Sequence, residues 1–64
     1  MKAKLCNVET SRTVCIEGLK ESIYVAGLET GRFDFYDQRE LNDFIAQLTN
    51  SHGYEFVYRE ELDA

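Results

Sequence analysis

The sequence predicts a small α+β domain, in which a four-stranded antiparallel meander precedes one amphipathic helix and a final strand, in the order ββββαβ. Three observations support this prediction. Residues 32–36 alternate polar and apolar side chains with the period of a half-buried strand. Residues 38–50 then carry apolar side chains at helical spacing, and alternation returns in residues 54–59. We therefore expect the helix to pack on one face of the sheet.

Several signals mark the start of the helix. Asp37 is placed to act as the N-cap, and Glu40 follows three residues later, as in a capping box. Tyr36 and Leu41 have the spacing of a hydrophobic staple across this start.

Within the helix, one apolar stripe recurs at i, i+3, i+4 and i+7, and it must pack on the sheet. The stripe consists of Leu41, Phe44, Ile45 and Leu48. Either Asn50 or Gly53 can supply the left-handed residue that ends the helix.

The upstream strands are expected to join through short hairpins. A three-residue loop at Glu29-Thr30-Gly31, with Gly31 left-handed, would place Ile23 and Val25 beside Phe33 and Phe35. A two-residue loop at Leu19-Lys20 would then place Ile16 opposite Ile23 and Val14 opposite Val25.

The first hairpin has two possible registers. The favoured register brings Cys6 and Val8 to the core face. The other brings Leu5 there instead and sets Cys6 directly across from Cys15. The position of the last strand in the sheet is left open.

Length and charge restrict the function classes. With 64 residues the chain is expected to form one domain, residues 1–64. The net charge is −5, and residues 33–64 hold eight of the twelve acidic side chains. Such a charge repels phosphate backbones, so direct nucleic-acid binding is not expected. The N-terminal residues are too polar for a signal peptide or a membrane span, which predicts a cytoplasmic protein without a membrane partner.

Residues with reactive side chains are few. Cys6, Cys15 and His52 fall one ligand short of a zinc site, and nothing places a cysteine beside the histidine as a nucleophilic pair. We therefore expect no catalytic residue, no metal and no cofactor, and a small cysteine/histidine enzyme is the least favoured alternative.

Acidic and tyrosine side chains are the candidate partner-binding groups. Carboxylates can imitate phosphates in an arginine-lined groove, and tyrosine gives apolar area with a hydroxyl at low entropic cost. A purely solubilising acidic surface is the alternative interpretation. The candidate residues are Tyr24, Tyr36, Asp37, Glu40, Asp43, Gln47, Tyr58, Glu60, Glu61 and Asp63.

The hairpin and strand through residues 29–35, continuing into residues 37–41 of a tiny acidic chain, resemble small phage-encoded inhibitors such as anti-CRISPR proteins. That resemblance implies a protein-binding inhibitor that blocks the basic nucleic-acid-binding surface of a host protein or defence complex. The alternative is a structural or assembly subunit that homo-oligomerises through a strand edge or a tyrosine-rich face.

Overall fold

The computed structural model describes residues 1–61, and within them five antiparallel strands form one sheet that carries one helix on one face. The predicted order ββββαβ is confirmed. The elements are β1 Lys2–Asn7, β2 Arg12–Glu17, β3 Lys20–Val25, β4 Leu28–Asp34, α1 Gln38–Ser51 and β5 Glu55–Glu60. The last strand returns to the far edge and pairs with β1, which gives the spatial order β4-β3-β2-β1-β5. No helix in residues 1–61 has the length and apolar character needed to cross a bilayer.

The core lies between the central strands and α1. On the sheet, Ala3 pairs with Ile16 and Leu5 pairs with Val14, so four apolar side chains share one face. The apolar stripe of α1 covers them, with Leu41, Ile45 and Leu48 buried and Phe44 half-buried. The fully buried or nearly buried hydrophobic residues are Ala3, Leu5, Val14, Ile16, Leu41, Ile45, Leu48 and Tyr54.

The first hairpin adopts neither of the two predicted registers. Leu5 faces the core, as in the less favoured register, but Cys6 lies opposite Thr13 instead of Cys15. Cys6 is therefore on the other face of the sheet, and Val8 is an exposed turn residue. The tighter pairing, Asn7 with Arg12, leaves a four-residue turn in which Ser11 takes a left-handed φ of 57°.

The second hairpin turns one residue earlier than predicted. Gly18 and Leu19 form the loop, with Gly18 at φ 65°, because the first position of a two-residue hairpin loop favours glycine. Lys20 belongs to β3. This shift places Glu21 opposite Ile16 and Ile23 opposite Val14, so the predicted pairing of Ile16 with Ile23 is wrong, as is that of Val14 with Val25.

The third hairpin also turns earlier. Ala26 and Gly27 form its loop with φ values of 52° and 84°, the pattern of a type I′ turn. The segment Glu29-Thr30-Gly31 is part of β4 instead of a loop, and Thr30 is the extra residue of a β-bulge.

This change of register alters the β4 contribution to the core. Ile23 faces Gly31, and Val25 faces Leu28. Phe33 faces Glu21 and remains 55% exposed, whereas Phe35 packs against the core. The predicted apolar face of Ile23, Val25, Phe33 and Phe35 is therefore only partly formed.

The predicted N-cap of α1 is confirmed. Asp37 Oδ1 accepts a hydrogen bond from the Glu40 amide at 2.9 Å. The Glu40 carboxylate returns to the amide of Tyr36 at 3.4 Å, one residue before the cap. The predicted staple is wrong, because the Tyr36 side chain is 88% exposed and does not cover Leu41.

The end of α1 is tied to the first hairpin through Asn7. Gly53 adopts the left-handed φ of 73°, whereas Asn50 stays in the helix, and the Tyr54 amide donates to the Leu48 carbonyl at 3.1 Å. Asn7 Nδ2 donates to the His52 carbonyl at 2.7 Å, and Asn7 Oδ1 accepts from the amide of Glu9 at 3.0 Å. One side chain therefore satisfies both a turn and a helix terminus.

The N-cap gives a direct test of the helix start. Replacing Asp37 with alanine leaves the Glu40 amide without its acceptor, and we expect a loss of about 0.5–2 kcal/mol in the free energy of unfolding. Urea denaturation measures it. Asp43→Ala is the matched control, because Asp43 is an exposed carboxylate of the same helix without a capping bond, and it should change stability by less than about 0.5 kcal/mol. Equal losses in the two variants would contradict the capping role.

Candidate functional site

The candidate partner-binding residues lie on two different faces of the molecule. Tyr36, Asp37, Glu40, Asp43 and Gln47 lie at the start and on an exposed side of α1. The other group points away from the helix. Its members pair with β1 and β2 residues whose side chains lie on the sheet face opposite the core. This group contains Tyr24, Tyr58 and Glu60, whose partners include Thr13, Lys4 and Lys2. Asp63 lies outside the described residues.

The helix-outer surface is formed by Tyr36, Glu40, Asp43 and Gln47, all of which are exposed. Residues 40, 43 and 47 share one side of α1, since three- and four-residue steps bring helical side chains above one another. Tyr36 precedes the helix and is the most exposed large apolar side chain of the described residues, at 88%. Of the carboxylates here, Glu40 takes part in the helix start, whereas Asp43 makes no such bond. Arg39 is the one basic residue in α1.

The sheet side chains that point away from α1 form the open face. Across its middle, one row of neighbouring strands carries Tyr58, Lys4, Cys15, Ser22 and Arg32. The adjacent row alternates in charge and consists of Glu60, Lys2, Glu17, Lys20 and Asp34. A shallow groove of about 780 Å³ is bordered by seven residues of these rows, which are Lys2, Cys15, Glu17, Lys20, Ser22, Arg32 and Tyr58. Because opposite charges stand side by side, this face presents no field of one sign to a partner.

Two ion pairs further reduce the free charge of residues 1–61. Arg59 contacts Glu61 at 2.7 Å, and its guanidinium lies 5.4 Å from the ring centre of Phe56. Arg32 contacts Glu29 at 3.0 Å. Exposed pairs of this kind contribute little stability, but they do compensate charge. Glu61 is therefore a weaker phosphate mimic than the sequence suggested.

The cysteines and the histidine lie on opposite faces of the sheet. Cys6 and Cys15 are free thiols on the open face, each opposite a residue other than the other cysteine. His52 ends α1 on the other side of the sheet, where it borders a smaller groove of about 330 Å³ with Arg12 and Tyr54. A thiolate nucleophile needs a base or cation within hydrogen-bond reach, and this arrangement does not provide one from His52. Among residues 1–61, no three histidine, cysteine or carboxylate side chains converge as a metal site.

Glu21 is the residue that the sequence reasoning missed. Its side chain is 3% exposed on the core face, and within residues 1–61 its Oε2 atom has no hydrogen-bond partner. Burial raises the pKa of this carboxyl from 4.5 to about 7. The signal that could have found it is Gly18, since a turn at Gly18-Leu19 forces Glu21 to face Ile16.

A buried acid with a raised pKa is a frequent sign of an active site, because catalysis needs acids and bases that titrate near neutral pH. Here the neighbours across the sheet are Ile16 and Phe33, which offer neither a nucleophile nor a proton acceptor. Neither groove is bordered by Glu21. We therefore interpret it as a buried titratable group that controls stability.

The sign of its effect on stability follows from the pKa values. The folded chain holds the proton more tightly than the unfolded chain, so stability is greatest at low pH and falls as the pH rises from about 4.5 to about 7. Between about pH 5.5 and pH 8 the free energy of unfolding should decrease by about 2 kcal/mol. Denaturant titrations at the two pH values measure this change.

Two variants isolate the contribution of Glu21. Glu21→Gln should remove most of the decrease with pH, because the amide does not ionise. Glu17→Gln, an exposed β2 carboxylate, should retain the wild-type dependence. A wild-type stability that rises over this pH range, or the same pH dependence in all three chains, would contradict the assignment.

Comparison with known proteins gives no relative from which a function could be transferred, so a function has to be argued from the geometry. No protein-family model matches this chain, and neither a curated protein nor a solved structure is similar to it at a significant level. The resemblance to small phage inhibitors therefore rests on the residues from 29 to 41 alone and stays a prediction. The helix-outer surface, the open face and Glu21 are the three features from which function must be argued.

Proposed function

We propose that this chain is a non-enzymatic protein-binding module, an inhibitor of phage or mobile-element type in the manner of anti-CRISPR proteins. It docks its helix-outer surface on the basic nucleic-acid-binding surface of a host protein or defence complex. The observation that carries the proposal is Tyr36, an aromatic side chain 88% exposed just before a helix whose outer side carries Glu40 and Asp43.

Tyr36 supplies the anchor. A tyrosine that is left in water on the free protein loses little internal packing when it inserts into a pocket, and it gains apolar burial together with a hydroxyl contact. Tyrosine is also enriched among the few interface residues that contribute most binding energy. No other large hydrophobic side chain in residues 1–61 has so much of its area exposed.

The carboxylates supply attraction to a basic surface. The chain carries a net charge of −5, and Glu40 and Asp43 place negative charge next to the anchor. Complementary charges at the rim of an interface accelerate encounter and select partners more than they add affinity. Asp37 and Glu40 also stabilise the helix start, so Asp43 is the carboxylate whose removal tests steering without disturbing the cap.

Strand-edge assembly, the second candidate, is less well supported by the geometry. Both free edges carry a β-bulge, at Thr30 in β4 and at Val57 in β5. Bulges interrupt the row of backbone groups that an added strand must pair with, and proteins use them to prevent edge-to-edge association. Charged side chains on β5, including Glu55 and Arg59, act in the same direction.

The anchor is tested with a matched pair of tyrosine variants. The partner is first captured from source cells on the tagged chain, and its affinity is then measured by calorimetry. Tyr36→Ala should weaken binding by about thirtyfold or more, as expected for an anchor residue worth about 2 kcal/mol. Tyr24→Ala, on the open face, should leave the affinity within about threefold. Loss of binding in Tyr24→Ala with retention in Tyr36→Ala would assign the interface to the open face instead.

The steering role is tested by charge and salt. Asp43→Asn should slow association, and raising the salt concentration from about 50 to about 300 mM should slow the wild type more than the variant. Stopped-flow kinetics measure both. Glu17→Gln is the control carboxylate on the other side of the molecule. Association that is insensitive to both salt and Asp43→Asn would eliminate the electrostatic part of the proposal. If no partner is captured and the chain instead forms a concentration-dependent homo-oligomer, the result would favour the assembly subunit.

A further inference from the structure

Glu21 lies on the strand next to one edge of the sheet. Its strand β3 is flanked by β2 on the core side and by the edge strand β4 on the other, and the residues directly opposite are Ile16 and Phe33. The side chain is 3% exposed, and Oε2 has no hydrogen-bond partner within residues 1–61. A carboxylate in such a place needs water, and the nearest way to admit water is through β4.

β4 pairs with β3 along its length, but its side chains contribute little to the core. All of its residues except Gly31 are exposed, and α1 packs mainly over β1 and β2. After β4, the Phe35 amide donates to the Leu19 carbonyl at 2.7 Å, and the Phe35 and Phe44 rings lie 5.2 Å apart. These two contacts fasten the chain just before Tyr36 and Asp37. Regions with few buried contacts open at lower free energy than the core.

Among residues 1–61, no charged side chain lies directly opposite Glu21 on either neighbouring strand. In its row across the sheet, β2 and β1 present Ile16 and Ala3, and the first charged side chain is Arg59 on β5, three strands away. The neighbouring Lys20 and Asp34 point to the open face. Toward the sheet, α1 presents apolar side chains, whereas Arg39, Glu40 and Asp43 are exposed.

We propose that Glu21 is a pH-sensitive latch on the helix-outer surface. When its carboxyl is neutral, β4 stays paired with β3 and positions Tyr36 and the start of α1 for docking. When the carboxyl ionises, β4 and the residues up to Asp37 open locally to hydrate it, and the docking surface is loosened. This regulation rests on the proposed function for its biological effect, but the opening itself is a property of the isolated chain.

The direction of the switch follows from burial. Burial raises the pKa of Glu21 from its ordinary value of 4.5 to about 7. The latch is therefore closed in mildly acidic solution and opens with rising pH. Between about pH 6 and pH 8 the opening equilibrium should shift by about tenfold toward the open form. The same proton that stabilises the fold therefore favours the binding-competent state.

Native-state hydrogen exchange of the full chain tests the latch without a partner. Protection factors corrected for the intrinsic pH dependence of exchange should fall about tenfold from pH 6 to pH 8 at the β4 and Phe35 amides. These amides should also be less protected than those of Leu5 and Val14 at both pH values, because β4 opens without global unfolding. Glu21→Gln should abolish the fall, and Glu17→Gln should not. If Glu21→Gln does not fold, Glu21→Leu serves, since leucine fills similar space without a titratable group.

Two outcomes would overturn the latch. One is β4 protection that does not change with pH in the wild type. The other is equal protection of β4 and the core strands at both pH values, which would mean that β4 opens only by global unfolding. Partner affinity measured at pH 6 and pH 8 provides a second test. The wild type should bind more weakly at pH 8 than at pH 6, whereas Glu21→Gln should bind with the same affinity at both pH values. Exchange that behaves as expected while Tyr36→Ala binds normally would remove the proposed docking surface and keep the latch.

Discussion

The structure depends on the register of the β1–β2 hairpin. Because Leu5 pairs with Val14 and Ala3 with Ile16, four apolar side chains form one patch in the centre of the sheet. The stripe of α1 has only this patch to cover, and a chain of 64 residues has no other source for a core of useful size. A slip of one residue would replace Leu5 by Lys4 or Cys6 and leave the helix without a partner.

The same register determines what remains outside. It sends Cys6, Cys15 and the lysines of β1 to the open face, where they are interleaved with carboxylates. It also fixes α1 along the central strands, so that its polar side carries Asp43 and Glu40 into solvent. The edge strand β4 receives little cover from the helix, which leaves Phe33 half-exposed. On the adjacent strand β3, Glu21 is buried, and its Oε2 atom has no hydrogen-bond partner within residues 1–61. The exposed polar side of α1 and the thinly covered edge of the sheet are thus two consequences of one small core.

The elements could be predicted from the sequence more readily than their pairing. Asp37 and the apolar stripe fix the helix through local chemistry, since a cap and a period need no knowledge of distant residues. Hairpin register depends instead on which residues adopt positive φ. Ala26 and Ser11 do so, although neither residue type favours that conformation. The nearest glycine to the third turn in the prediction was Gly31, whereas the chain turns at Gly27. From that misplaced turn followed the wrong partners for Ile23 and Val25.

The sequence nominates the residues of the candidate site but not their arrangement, and their role in binding stays a prediction. Tyr36 and Tyr24 looked equivalent in sequence, yet the end of β4 leaves one exposed beside α1 and strand alternation sends the other to the open face. Glu21 gave no sequence signal apart from the turn that precedes it, because a glutamate in a polar stretch is ordinarily solvated.

The most direct measurement is an amide NMR footprint of the isotopically labelled chain bound to its captured partner, using cross-saturation from the partner. The account predicts that the saturated amides cluster at residues 36–47, while Lys4, Cys15 and Ser22 on the open face keep their intensity. Saturation concentrated on the open face, or along the β5 edge, would contradict it.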